Sequence, residues 1–245
     1  MSLVSIIMPA YNAEKTIKKS IVSIQNQTYG CWELLVTDDN STDATRSIVL
    51  ELAKSDERIK YFPNKGKSGA WSARNNSIKV AEGEYIAFLD SDDTWLPQKL
   101  TMQISEMKTK NVNASHSTYY RVLDTGKVIG IKKASQLVTL NDMLKKNCIG
   151  NLTGIYNAKI LGKFYQQEVG HEDYAMWLEV LKSTDSVGIE LPMANYLVTT
   201  NSLSSNKFKA ALWHFNLLRS HKKVGAFSIW YYFCCYIVSS IKSRV

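Results

Sequence analysis

Short β-rich runs alternate with helical patterns through the first 95 residues, and this alternation limits the possible folds more than any other feature of the chain. Residues 4–8 form a run of the buried-strand kind, after which Ile17, Ile21 and Ile24 recur at helical spacing within 13–27. Residues 33–37 (ELLVT) read as a second strand, followed by a helix in which Ala44, Ile48 and Leu52 recur every four positions. Strands at 59–62 and 85–89 (YIAFL) enclose a further helix over 71–81. This βαβα order predicts an α/β fold with a Rossmann-like, mostly parallel sheet flanked by helices.

Ligands of such sheets bind where strands hand over to helices. In this chain those junctions hold PAYN (9–12), DDNSTD (38–43) and DSDD (90–93), so the polar residues gather where a nucleotide would sit. No GxGxxG follows the first strand, and GKSG at 66–69 does not match the P-loop spacing. A dehydrogenase or P-loop enzyme therefore loses most of its support. Residues 96–170 are less regular: a helix over 100–107, a hairpin of 115–123 with 128–132 around Asp124-Thr125-Gly126, and a short helix over 139–146. A helix over 172–181 sets Tyr174, Trp177, Leu178 and Leu181 on one face. Another over 207–220 is expected to turn Phe208, Leu212, Phe215 and Leu218 inward.

Charge divides the chain unevenly. Lys and Arg exceed Asp and Glu by 8, yet residues 191–245 contain no acid and hold Lys207, Lys209, Arg219, Lys222, Lys223, Lys242 and Arg244. These bases flank the apolar aromatic run AFSIWYYFCCYIV at 226–238, a combination that fits an anionic membrane surface better than nucleic acid. The run is shorter than the roughly 20 residues a spanning helix needs, which points to a helix lying in the interface. Packing on the protein's own core or on a partner chain is the competing account of the same residues. The amino-terminal segment has no basic stretch ahead of an apolar one and is not expected to act as a signal peptide. Cys31, Cys148, Cys234 and Cys235 match no disulfide framework and no zinc spacing, as suits a reducing cytosol.

Two acidic clusters carry the chemistry. Asp90, Ser91, Asp92 and Asp93 crowd carboxylates into one turn, a repulsive arrangement that a hard cation bound through oxygen would relieve. It is not an EF-hand loop, because the sixth-position Gly and twelfth-position Glu are missing. His171-Glu172-Asp173 opens the helix bearing Trp177. Acids in a first turn suit the helix dipole, and the rigid apolar helix behind them would also hold a base over a site.

The ordered segments VSIIMPAYN, ELLVTDDNSTDAT, SARNNSI, GEYIAFLDSDDTWLPQKL and HEDYAMWLEV resemble the family 2 inverting glycosyltransferases with the A-type nucleotide-sugar-binding fold, especially bacterial members that build O-antigen, capsule or related surface polysaccharides. The resemblance implies transfer of a sugar from a nucleoside diphosphate sugar, UDP foremost, to an acceptor hydroxyl on a saccharide or lipid-linked saccharide. It implies that Pro9, Tyr11 and Asn12 line the nucleoside pocket, that Asp39 accepts a hydrogen bond from uracil, and that Arg74 lies near the nucleotide. Arg74 paired with Asp38 or Asp39 is the structural alternative. Asp90 and Ser91 would contact the donor, Asp92 with Asp90 would bind Mn²⁺ or Mg²⁺, and Asp173 would be the general base, with Asp93 and Glu172 in support and His171 orienting locally.

By the same resemblance, 1–95 would be the nucleotide-sugar-binding half and 96–205 the acceptor-binding and catalytic half, with 206–245 a basic aromatic helical tail on the inner face of the bacterial cytoplasmic membrane. Two departures stand out. No Arg or His occurs at 196–204, where relatives hold the diphosphate, leaving Lys207 or another loop residue to substitute. Asn76-Ser77 replaces a frequent Lys-Gly pair, at what is expected to be helical surface. The competing functions are another metal-dependent nucleotide enzyme such as a nucleotidyltransferase, and a catalytically inactive nucleotide-sugar or membrane adaptor.

Overall fold

Among the described residues, ten strands and nine helices, seen in a computed structural model, arrange themselves around the alternation read from the sequence. The structure describes residues 1–198, 207–220 and 226–242. The first half runs β1 (Val4–Ala10), α1 (Ile17–Gln25), β2 (Trp32–Asp38), α2 (Thr45–Ser55), β3 (Ile59–Pro63), α3 (Ala70–Val80) and β4 (Tyr85–Phe88). Next come β5 (Thr94–Trp95), α4 (Lys99–Lys110), β6 (Ala114–Val122), β7 (Val128–Lys132), β8 (Leu137–Val138) and α5 (Leu140–Lys145). A 3₁₀ turn (Asn151–Thr153), β9 (Ile155–Asn157), α6 (Ala158–Leu161), α7 (Glu172–Val180), β10 (Ser186–Leu197), α8 (Lys207–Ser220) and α9 (Ala226–Lys242) complete the chain.

One sheet joins all the strands along the order β3-β2-β1-β4-β9-β6-β10-β5, with β7 paired to β6 and β8 to β10. The β3-β2-β1-β4 portion is parallel, as βα units require, and parallel pairing returns between β6 and β10. The short β9 enters antiparallel between β4 and β6. Period-two alternation feeds two cores. Val4, Ile6 and Met8 face α1 and α4, while Ile7, Ile86 and Phe88 face the layer of α3 and α7.

Trp177 anchors that second core. Its indole packs edge-on to Phe88 and Tyr156 at centroid distances of 6.0 and 6.1 Å and donates through Nε1 to Asn151 Oδ1 at 3.2 Å. The backbone at Gly154 comes so close that a Cβ there would lie 2.0 Å from the ring, so only glycine fits. The helix carrying Glu172 and Asp173 is thereby fixed on the sheet that carries the acidic turn.

The tail follows a different face from the one expected. In α8, Leu218 is buried as predicted and Phe215 is half-buried, but Leu212 is exposed, and the Phe208 side chain lies outside the described residues. The inward face centres on His214, whose ring stacks between Tyr174 of α7 at 5.5 Å and Tyr236 of α9 at 4.1 Å. At about 100° per residue, a face centred on 214 and 218 turns 212 outward. Burial, and secondarily the charge of His171, lowers the His214 pKa to about 4, keeping the ring neutral inside the stack. Phe215 closes the hairpin against Phe233 and Trp230. No helix among the described residues is long and apolar enough to cross a membrane.

Candidate functional site

A cleft of about 920 Å³ opens at the carboxyl ends of β1, β2 and β4, and the sequence-predicted donor residues Pro9, Tyr11, Asn12, Asp39, Arg74, Asp90, Ser91 and Asp92 all line it. Its first wall consists of two turns stapled together. Asn12 adopts φ 46°, a left-handed conformation that asparagine tolerates, and its Oδ1 accepts from the Thr42 amide at 2.9 Å. In return, the Ser41 hydroxyl accepts from the Asn12 amide at 2.9 Å and the Thr45 hydroxyl from the Ala13 amide at 2.7 Å. Asp38 closes the second turn by accepting from the Ser41 amide and hydroxyl and from the Tyr61 hydroxyl. Held this way, Tyr11 offers a ring that is 62% exposed for stacking.

Asp39 is occupied more fully than expected. Asn64 Nδ2 donates to one carboxylate oxygen at 2.6 Å, while the Ser68 hydroxyl and the Gly69 amide donate to the other at 2.9 and 2.7 Å. The carboxylate therefore folds the 64–69 loop over the cleft and keeps about one acceptor position for a ligand.

Arg74 pairs with neither Asp38 nor Asp39. Its buried guanidinium contacts Asp90 Oδ1 through Nη2 at 2.7 Å, and Gln166 Oε1 and Glu172 Oε1 through Nη1 at 3.1 and 3.5 Å. Burial, the strongest influence, opposes its charge, but Asp90, Glu172 and Asp173 outweigh it and hold the pKa above the ordinary value. Asp90 follows β4 and Glu172 opens α7, so this one side chain on α3 reaches both acidic clusters. Asn75 extends the link: its Nδ2 donates to Gln166 O and its Oδ1 accepts from the Gln166 amide, both at 2.8 Å. The expectation that 76–77 is helical surface is overturned. Ser77 is fully buried, within 2.7 Å of Thr37 Oγ1 and donating to Leu35 O, and Asn76 donates to Asn64.

The acidic turn separates its carboxylates by role. Asp93 points inward, where Oδ1 accepts the Leu197 amide at 2.8 Å and so fixes the end of β10; burial first, then Asp90 and Asp92, pushes its pKa well up. Asp92 is open to the cleft by surface area, yet chain crowds its remaining sides. That partial enclosure, followed by the charge of Asp90, raises its pKa to about 6. Among the described residues no three His, Cys, Asp or Glu side chains converge as a complete cation cage. The donor set nonetheless suits Mg²⁺ or Mn²⁺, which commonly take one or two protein carboxylates and draw other oxygens from substrate phosphates.

Several positioning residues were not singled out from the sequence. Ser20 Oγ donates to Ser91 O, Ser23 Oγ accepts the Trp95 amide, and Gln27 Nε2 donates to Leu96 O, so α1 and Gln27 just beyond it hold the acidic turn and the β5 segment that follows. Their signal was the polar spacing beside Ile17, Ile21 and Ile24. Glu172 and Asp173 lie outside the cleft lining, and Glu172 is joined to it through Arg74. Tyr119 and Tyr196 lie edge to face at 6.2 Å, and burial first, then Tyr196, Asp93 and Asp173, raises the Tyr119 pKa to about 12. His171 packs edge-on to Trp213 and Tyr174. Residues 199–206 and the Lys207 side chain, where a substitute for the missing diphosphate-binding base was sought, lie outside the described residues.

The model of Glycosyl transferase family 2 matches residues 5–164. The chain belongs to this family. It is a glycosyltransferase, which sets aside nucleotidyl transfer. It is 43% identical over 244 residues, 99% of this chain and 95% of the relative, to the UDP-Glc:alpha-D-GlcNAc-diphosphoundecaprenol beta-1,3-glucosyltransferase WfgD of Escherichia coli. The crystal structure of S. aureus TarS 1-349 in complex with UDP-GlcNAc shares the fold at TM-score 0.74 and 22% identity, over 90% of this chain and 65% of that one. The mannosyltransferase PcManGT from Pyrobaculum calidifontis, in complex with GDP-Man and Mn²⁺, superposes at TM-score 0.68 and 18% identity, over 91% of this chain and 64% of that one.

The raised Asp92 pKa gives a signed prediction. Between the ordinary carboxylate value and about 6, the unfolded chain releases the Asp92 proton before the folded one does, so stability falls as pH rises through that window. Asp92→Asn removes the effect. Without divalent cation, the variant should be more stable than wild type above pH ~6 by about 1 kcal/mol, a value reduced for the open side of the group, with the difference vanishing below pH ~4 in thermal melts.

Proposed function

We propose that the protein is a metal-dependent inverting glucosyltransferase. In this reading it takes glucose from UDP-glucose and places it on the 3-hydroxyl of an N-acetylglucosamine carried by a polyprenyl diphosphate, in the assembly of a bacterial surface polysaccharide. The observation that carries the proposal is Arg74, which joins the donor turn at Asp90 to the helix of Asp173 in one buried contact set. The full-length likeness to an enzyme named for this donor, acceptor and linkage supplies the substrates. A β linkage made from a donor whose diphosphate occupies the α face is an inversion by ordinary stereochemistry.

In this reading Tyr11 stacks on the base, Pro9 and Asn12 shape the nucleoside pocket, and the remaining acceptor position on Asp39 reads the base edge. Asp90 and Ser91 contact the donor. Asp92, with Asp90, would hold Mn²⁺ or Mg²⁺, which when bound offsets the charge of the diphosphate leaving group. Asp173 takes the proton from the acceptor hydroxyl as its oxygen attacks the anomeric carbon, opposite the departing UDP. Arg74 keeps Glu172 and Asp90 in register, so the base and the donor turn hold a fixed spacing. Asp93 fixes the end of β10 beneath both. Residues 1–95 then form the donor half and 96–205 the acceptor half.

Turnover of a lipid-diphosphate N-acetylglucosamine acceptor with UDP-glucose, and not with UDP-galactose or UDP-N-acetylglucosamine, is the expected result. Asp173→Asn should lower kcat about 10²–10⁴-fold while UDP binding is kept. Activity of that variant within a fewfold of wild type would remove Asp173 from its role. Nucleotide binding without transfer to any acceptor would favour the adaptor.

The same proposal places the enzyme on the inner face of the cytoplasmic membrane through 206–245. Trp230, Tyr231, Ile237 and Val238 remain exposed on α9 although Phe233 and Tyr232 of the same helix pack inward. Aromatic groups beside bases suit an anionic interface. Full-length protein should float with phosphatidylglycerol-rich vesicles and not with neutral ones, and the Trp230→Ser, Tyr231→Ser, Val238→Ser variant should not float. Wild type that remains with the soluble fraction contradicts the docking.

A further inference from the structure

A second concavity, of about 290 Å³, lies between the end of β7 and the segment that follows α5, lined by Lys132, Lys133, Ser135, Lys146, Asn147 and Cys148. Its charge is one-sided. Among the described residues no carboxylate forms an ion pair with Lys132, Lys133 or Lys146, and the adjacent Lys145 reaches Asp142 only at 3.7 Å. Lone surface lysines extend into water, but these border a recess whose other polar groups are neutral. The Cys148 thiol reports their convergence. Burial raises its pKa and Asp142 adds to the rise, while Lys146, Lys132 and Lys145 each pull it down.

The position of the recess gives it meaning. Lys132 stands directly opposite Tyr119 in the β6–β7 ladder. Gly150, two residues beyond Cys148, lies so close to the Tyr119 ring that a Cβ there would meet it at 2.8 Å. Both walls of the recess therefore lead to Tyr119, whose ring meets Tyr196, the neighbour of the Leu197 amide that Asp93 holds, and whose hydroxyl feels the charges of Asp93 and Asp173. On its other flank the recess continues into α5, on which α9 packs, with the Tyr232 hydroxyl donating to Asn141 Oδ1 at 2.9 Å. The basic recess thus sits between the catalytic acids and the helix with the exposed aromatic face.

We propose that this lysine-lined recess is the acceptor's diphosphate subsite, holding the group that links the acceptor sugar to its lipid while the sugar reaches past Tyr119 toward Asp173. The assignment rests on the lipid-diphosphate acceptor proposed above. A diphosphate offers several acceptor oxygens and a negative charge that three ammonium groups, the Ser135 hydroxyl and the Asn147 amide can satisfy through charge-assisted hydrogen bonds. A lipid chain leaving that subsite would then run along α9.

The test compares two acceptors on the full-length protein: N-acetylglucosamine linked to a short prenyl chain through diphosphate, and the same sugar as a simple alkyl glycoside. Lys132→Gln combined with Lys146→Gln should raise KM for the diphosphate acceptor about tenfold or more, the scale of losing charge-assisted contacts. KM for the alkyl glycoside, KM for UDP-glucose and kcat should be unchanged. Equal KM changes for both acceptors, or none, would overturn the subsite.

Cys148 supplies a readout independent of turnover. Its alkylation, followed by mass spectrometry with chelator present, should slow in wild type when inorganic pyrophosphate or the diphosphate acceptor is added. It should not slow with the alkyl glycoside, nor with pyrophosphate in the double variant. Protection without the KM difference would assign the recess to a free diphosphate and overturn its acceptor role; no protection would overturn it outright. Wild type that used neither acceptor would refute the proposed reaction, leaving occupancy of the recess to be decided by the thiol.

Discussion

The buried guanidinium of Arg74 is the contact on which the rest of the site depends. It lies on α3, within the parallel half of the sheet, yet it touches the carboxylate that follows β4 and the one that opens α7. Breaking a buried ion pair by removing one partner costs about 3–5 kcal/mol, because the remaining charge cannot be hydrated. Here the arrangement does more than stabilise. Two acids far apart in sequence acquire a common cation, so the turn after β4 cannot drift from the helix that carries Asp173. Gln166 and Asn75 brace the segment leading into that helix, and their reciprocal amide contacts limit its freedom further.

The site also shows how strain and repulsion are kept local. Three carboxylates occupy one four-residue turn, but Arg74 neutralises Asp90, and Asp93 is turned inward to accept a backbone amide. Asp92 keeps the unfavourable position, and the raised pKa is the measure of it. Trp177 and the glycine-sized gap at 154 hold α7 rigidly, while the Tyr174–His214–Tyr236 stack couples the same helix to the tail. The tail is therefore both part of the core and a surface: one face of α9 is packed and the other is open.

Much of this was legible in the sequence. The parallel half followed from hydrophobic periodicity, since β1, β2 and β4 alternate between two cores and α1 presents Ile17, Ile21 and Ile24 to one of them. The cleft turns at 9–12, 38–43 and 90–93 followed from polar groups at strand ends, whereas Arg74 came only from the family resemblance. What remained hidden depended on contacts remote in sequence. Nothing near Arg74 announces Glu172 as a partner, 98 positions further along the chain. The partners of Ser77 and Asn76 likewise come from β2 and the 64–69 loop, so a polar pair that looks like surface is interior. The inward face of α8 was misjudged because large apolar residues were weighed above a histidine, although His214 is enclosed by two tyrosine rings.

A crystal structure of the full-length protein with UDP-glucose and Mn²⁺ would test the central claim most directly. The account predicts the diphosphate over Asp90 and Asp92, Arg74 still between Asp90 and Glu172, and the Asp173 carboxylate on the side of the anomeric carbon opposite the diphosphate. A donor seated elsewhere, or Asp173 on the same side as the leaving group, would contradict it.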